Sequence, residues 1–117
     1  MDNAPSPATA LTCAWKWSSA EKAVARKAFD LALSREMKAV VQEAKDRAAR
    51  IIEASELWQL ERWLGEGRHE IDRTFDFRYS ILPLVFATLI RDRHLTEDDL
   101  HGLAQEKLDA ICHMARS

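Results

Sequence analysis

Residues 20–54, AEKAVARKAFDLALSREMKAVVQEAKDRAARIIEA, contain neither glycine nor proline, and their reading decides the fold. Ala, Leu, Glu, Lys and Arg dominate, the residues that lose least on entering a helix. Ala25, Phe29, Leu33, Met37, Val40, Ala44, Ala48 and Ile51 recur at steps of four and three, laying one apolar stripe along a helix. Glu43 with Arg47, and Asp46 with Arg50, stand four apart with the acid first, worth ~0.2–0.5 kcal/mol each when exposed. Such a helix spans roughly 50 Å. A compact domain of 117 residues has a radius of gyration near ~13 Å and a diameter of roughly 35 Å. The helix therefore overhangs any globule the rest of the chain can build. A second helix folding back covers only part of the stripe, and a second copy of the chain is the simplest cover for the remainder. The spacing thus predicts a homodimer seam at Phe29, Leu33, Met37, Val40, Ala44 and Ile51.

Upstream, residues 1–12 (MDNAPSPATALT) mix Pro, Ser, Asn and Ala without period and read as a mobile leader. Ser18 stands three before Glu21, a capping-box spacing. Downstream, Ser55 and Glu56 suit the start of a second helix, with Leu57, Leu60, Trp63, Leu64, Ile71 and Phe75 on its buried side. Gly65 and Gly67 invite a bend or a loosened turn. Asp76 to Ser80 marks a corner, and Ile81 to Ile90 is apolar nearly all round, as in a short central helix with Pro83 in its first turn. Thr96, with Asp99 three later, caps a last helical region that Gly102 divides. The expected architecture is a single all-α domain over 13–117, with a stem over about 18–75 and a small helical head over about 76–117.

Composition narrows the function. With 17 Lys and Arg against 19 Asp and Glu, the net charge of −2 offers no field for nucleic acid or anionic lipid. The last helices, read as a helix-turn-helix, carry Glu97, Asp98, Asp99, Glu106 and Asp109, which repel phosphates. No apolar run reaches the ~18 residues of a membrane span, and no signal-peptide pattern opens the chain, so a cytoplasmic protein is expected. Cys13 and Cys112 lie far apart without metal-ligand spacing and read as free thiols.

Catalytic signatures are missing. Glu66-x-x-His69 has the spacing of one half of a di-iron site, but no second such pair accompanies it. His94, His101 and His113 lack a matching set of ligands, and no phosphate loop or nucleophile elbow is present. The expectation is a non-enzymatic protein without metal or cofactor. The best candidate surface runs from Trp58 to Arg68, where Trp58, Glu61, Arg62 and Gly65 fall at helical steps and Trp and Arg are the types enriched at binding hot spots. From spacing alone, core of a dimer seam is the slightly favoured reading of Trp58.

The order of residues over about 17–116 resembles the fluorescence recovery protein family. It begins with Trp17-Ser18, Glu21, Ala28-Phe29-Asp30 and Arg35-Glu36. It is strongest in Leu57-Trp58-Gln59-Leu60, Glu70-Ile71-Asp72, Asp76 and Arg78-Tyr79-Ser80, and resumes in Val85-Phe86-Ala87, Leu100, Gly102-Leu103 and Lys107-Leu108. The resemblance implies a homodimer with a helical stem and head. It further implies binding to the photoactivated orange carotenoid protein, or a related carotenoid protein, and acceleration of its return to the orange, inactive form, without covalent chemistry. Trp58 and Arg68 match the family's contact positions. Glu61 and Arg62 stand where well-studied members have His and Asp, and Leu84 and Ala110 where Phe and Lys are usual. The partner surface implied is Trp58, Glu61, Arg62, Arg68 and Leu84. The polar corner of Asp72, Asp76, Arg78 and Tyr79 is expected to hold the second helix against the head as a partly desolvated network. The alternative reading is the same dimeric scaffold serving an unrelated protein partner.

Overall fold

The computed structural model describes residues 15–117; the leader expected over 1–12, and Cys13, lie outside the described residues. Four α-helices follow one another: α1 (Ser19–Ala49), α2 (Ala54–Thr74), α3 (Leu82–Arg91) and α4 (Gln105–Arg116). A 3₁₀ turn at Asp98–Leu100 joins α3 to α4, and there is no β-strand among the described residues.

The start of α1 is the capping box that the spacing predicts. Ser18 Oγ accepts from the Glu21 N–H at 3.1 Å, and Glu21 Oε1 accepts from the Ser18 N–H at 3.1 Å. Its end departs from expectation, because the helix stops at Ala49 rather than running to Ala54. The last turn tightens, with Arg50 N–H donating to Arg47 C=O and Ile51 N–H to Ala48 C=O, each at 3.2 Å. The Glu56 carboxylate then captures the N–H groups of Ile52 (3.0 Å) and Glu53 (2.7 Å) and starts α2. Ser55, expected as the cap, is already inside the helix. Gly65 and Gly67 bring no break either; α2 continues through both, although each costs up to ~1 kcal/mol against Ala.

The head is built as its sequence reads. Pro83 occupies the first turn of α3, which buries Leu82, Pro83, Val85, Phe86, Ala87 and Leu89. α3 ends where Arg93 takes φ 66° and His94 N–H donates back to Leu89 C=O at 2.8 Å, the usual left-handed helix stop. Thr96 Oγ1 accepts from Asp99 N–H and Asp99 Oδ2 from Thr96 N–H, capping the 3₁₀ turn. Gly102 (φ +114°) separates that turn from α4, and a Cβ there would meet Val24 Cγ2 of α1 at 2.6 Å. The core joins Ala25, Ala28, Phe29 and Ala32 of α1 to Leu82, Phe86, Leu89, Leu95, Leu100, Leu103 and Ile111.

Phe29 thus corrects the seam expected from the stripe. It lies inside the protomer, edge-on to Phe75 (5.5 Å) and Phe77 (5.0 Å). The stripe is continuous along α1, but the head already covers its first turns. Leu33, Val40, Ala44 and Ile51 are half-buried, and Met37 is exposed.

Beyond the head, α1 and α2 form an arm, and between Ala32 and Leu82 no residue is buried. The molecule measures 62 × 32 × 22 Å with a radius of gyration of 17.7 Å, against ~13 Å for a compact chain of this length. The predicted overhang is real.

Candidate partner-binding surface

At ~100° per residue, Leu60, Trp63, Gly67, Ile71 and Thr74 share the side of α2 that turns toward α1, and all five are half-buried. The Arg47 guanidinium lies over the Trp63 ring at 4.5 Å, so α1 and α2 touch near the tip through a cation–π contact. Trp58 projects from the opposite side and is 61% exposed, which removes it from any protomer core. Gly65 follows two turns later in line with it. Glu61, Arg62, Arg68 and His69 flank that line, all exposed, and none forms an ion pair within the chain among the described residues. An indole between free charges of both signs is a ready surface for a protein partner. Leu57 and Leu64 are also exposed and interleave with Glu61 and Arg68 along one flank of the Trp58 line.

Leu84 is placed elsewhere. It is the one exposed apolar residue of α3, and it lines a cleft of about 300 Å³ with Arg73, Thr74, Ile81, Val85 and Thr88. That cleft meets the C-terminal end of α2, ~24 Å along the helix from Trp58. The structure therefore gathers Trp58, Glu61, Arg62 and Arg68 on one helix and leaves Leu84 as a separate spot.

The polar corner differs from the expected network. The Asp76 carboxylate accepts from Arg78 Nε at 2.9 and 3.0 Å and from Nη2 at 2.6 Å. This pairing holds the Asp76 carboxyl below its ordinary range and the Arg78 guanidinium above its own. Yet the two residues are two apart, the Arg78 side chain is 68% exposed, and Asp72 is exposed as well. Water reaches these charges, so the pair stiffens the corner locally without tying α2 to the head. Aromatic rings do that instead. The Tyr79 ring lies 5.5 Å from Trp17 and 5.4 Å from Phe77, and Phe77 continues to Phe29.

Sequence reading missed the buried ion pair that closes the head. Glu21 Oε1 lies 2.7 Å from Lys107 Nζ, and Glu21 Oε2 accepts from the Ala104 N–H at 2.9 Å. Lys107 also donates to the Lys16 C=O and lies 4.8 Å from the Trp17 ring. The Lys107 hydrogen bond, reinforced by the Ala104 and Ser18 N–H groups, outweighs burial and lowers the Glu21 pKa to about 2. The available signal was Lys107 standing midway between Leu103 and Ile111 at steps of four, a core position occupied by a cation. A second staple joins α1 to the head, with Arg35 donating to Asp99 Oδ2 at 2.8 Å and to His94 C=O at 2.9 Å.

Among the described residues no three His, Cys, Asp or Glu side chains are grouped to hold a metal ion, and no helix is long and apolar enough to cross a membrane. Glu66 and His69 are both exposed.

A closed head, a two-helix arm without buried residues and an exposed indole on that arm define an elongated helical protein with a surface suited to a protein partner. The family follows from comparison with known proteins. Residues 17–115 match the model of the photoprotection regulator fluorescence recovery protein, and the chain belongs to that family. It is 34% identical over 100 residues to the fluorescence recovery protein of Synechocystis sp., covering 86% of this chain and 92% of that one. The solved structure of the Fremyella diplosiphon fluorescence recovery protein superposes with a TM-score of 0.83 at 43% identity, covering 87% of this chain and all of that one. The Synechocystis structure gives 0.83 at 33% identity, with the same coverage.

Proposed function

We propose that this photoprotection regulator works as a homodimer, without covalent chemistry, by binding the photoactivated orange carotenoid protein or a related carotenoid protein through the Trp58 face of α2. Binding that face more tightly in the converting state than in the starting state speeds the return to the orange form. The observation that carries the reading is the arm. It buries no residue and leaves Trp58 61% exposed with Arg68 on the same helix, in a chain of this family.

The apolar residues divide between two faces. Met37 and Val41 on α1 supply the seam between two copies. Trp58, Glu61, Arg62 and Arg68 remain outward for the second protein. Leu33, Val40, Ala44 and Ile51, half-buried beside this seam, complete it, whereas Phe29 belongs to the head.

Mixing the purified chain with photoactivated orange carotenoid protein and timing the red-to-orange recovery tests the reading, with light scattering reporting the dimer. Faster recovery at substoichiometric dimer supports it. The reversed sign at Arg62 favours the other reading, an unrelated partner on the same scaffold, and unchanged recovery across a wide concentration range would select that one.

A further inference from the structure

The outward side of α2 is a ridge of long side chains with one interruption, Gly65. Its nearest neighbours along the helix surface are Glu61 and Arg62, one turn before it, and Arg68 and His69, one turn after. All four are exposed, and none forms an ion pair within the chain among the described residues. Between these two pairs the helix presents bare backbone to water. A Cβ on Gly65 would meet nothing within 4 Å, and its φ is not in the left-handed region. Neither crowding nor backbone conformation inside the protomer therefore calls for a glycine, and a helix interior favours alanine. Gly67 offers a comparison within the same turn. It too would meet nothing within 4 Å, but it is half-buried on the opposite side, toward α1.

We infer that Gly65 is a specificity-determining position of the partner face, where one segment of the partner protein's main chain crosses α2 against its bare backbone; this rests on the partner-binding reading of the Trp58 face proposed above. The shape is that of a saddle. Glu61 and Arg62 wall one side, Arg68 and His69 the other, and the two walls stand two helical turns apart, roughly 11 Å, room for a single segment. The lining suits a main chain rather than one charged group. Arg62 and Arg68 donate, Glu61 accepts, and a crossing segment offers carbonyl oxygens and N–H groups to both. Leu64, exposed beside Gly65, adds an apolar contact at one end of the saddle, and Trp58 stands two turns away in line with it. A partner element laid over the indole therefore meets Gly65 next, and the absent side chain lets the two backbones approach more closely there than at any neighbouring position.

The test compares Gly65→Ala, Gly65→Leu and Gly67→Ala in the full chain. Each is timed on the red-to-orange recovery of photoactivated orange carotenoid protein, with light scattering and amide hydrogen exchange read alongside. Each alanine should slow exchange over α2 by about fivefold, since each removes the helix penalty of one glycine. Despite that firmer helix, Gly65→Ala should weaken action by about tenfold and Gly65→Leu should abolish it, because the added side chain holds the partner's main chain off. Gly67→Ala, on the side facing α1, should leave action unchanged. Gly65 variants as active as the parent overturn the inference. Equal losses in Gly65→Ala and Gly67→Ala overturn it too, since the partner would then need a pliable α2 and not a bare crossing point. A changed oligomeric state in Gly65→Ala overturns it as well, by placing Gly65 in an assembly contact. A parent chain without effect on recovery is a separate failure: it removes the proposed partner, and this crossing with it.

Discussion

Lys107 Nζ lies 2.7 Å from Glu21 Oε1, joining the first turn of α1 to the start of α4 across 86 residues of chain. Both side chains are buried, and every polar atom of the pair has a partner. Removing one member strands the other charge in the head. Lys107→Met should lower unfolding free energy by about 3 kcal/mol, and Glu21→Gln combined with it should be milder than Lys107→Met alone. Urea melts of the three proteins measure both differences.

The same pair sets an acid limit. Glu21 has a folded pKa of about 2, below its ordinary 4.5, so the unfolded chain takes up its proton first. Its contribution is complete above the ordinary value and is lost as pH falls from about 5 toward 2. Melting temperature should drop across that window in the parent. In the Glu21→Gln protein the drop should be smaller, and an identical pH profile would show that Glu21 does not carry the effect.

Gly102 should resist replacement. An alanine there combines a backbone at φ +114° with a Cβ 2.6 Å from Val24 Cγ2. The expected loss for Gly102→Ala is at least about 2 kcal/mol. Adding Val24→Ala relieves the clash but not the backbone strain, so a denaturant melt of the double variant should recover only part of the loss.

The connector between α2 and α3 separates ring from charge. Arg78→Ala should leave the melting temperature unchanged, because its partner Asp76 is beside it on the surface. Tyr79→Ala removes the ring that bridges Trp17 and Phe77 and should cost about 2–4 kcal/mol. Thermal scans of the two variants side by side decide the matter; equal losses would restore the charged corner as the holder of α2.

On the proposed partner face, Trp58→Leu should weaken action on the carotenoid protein by about 30-fold or more while fold and dimer persist. Arg62→Asp, restoring the sign usual in the family, should strengthen it by up to about tenfold. Recovery kinetics against dimer concentration give both values. Untouched kinetics in Trp58→Leu would relocate the face, and weakening by Arg62→Asp would mark the arginine as fitted to its own partner.

Local chemistry made much of this fold legible. Ser18 with Glu21, Pro83, Thr96 with Asp99, and the corner after Thr74 were readable because each acts within a few residues of chain. The end of α1 was not, because Glu56 reaches back to Ile52 and Glu53 and outcompetes a helix that propensity alone would continue. Phe29 read as seam because periodicity identifies an apolar face without saying which neighbour covers it. Lys107 was hidden for the opposite reason: its partner lies 86 residues away, and no local pattern joins them. The Trp58 cluster was readable as one helical face, whereas the distance of Leu84 from it needed the fold.

The four tryptophans fall into two pairs, Trp15 and Trp17 on the head and Trp58 and Trp63 on the arm. Trp17 is packed against Tyr79 and beneath Lys107, while Trp58 faces water. The chain consequently carries its own optical label on each part. Emission from the head pair follows global unfolding, while collisional quenchers reach Trp58 first and would be shut out by a partner docked on the proposed face. Single Trp→Phe replacements would resolve the two signals, so that docking and unfolding can be followed in unlabelled protein.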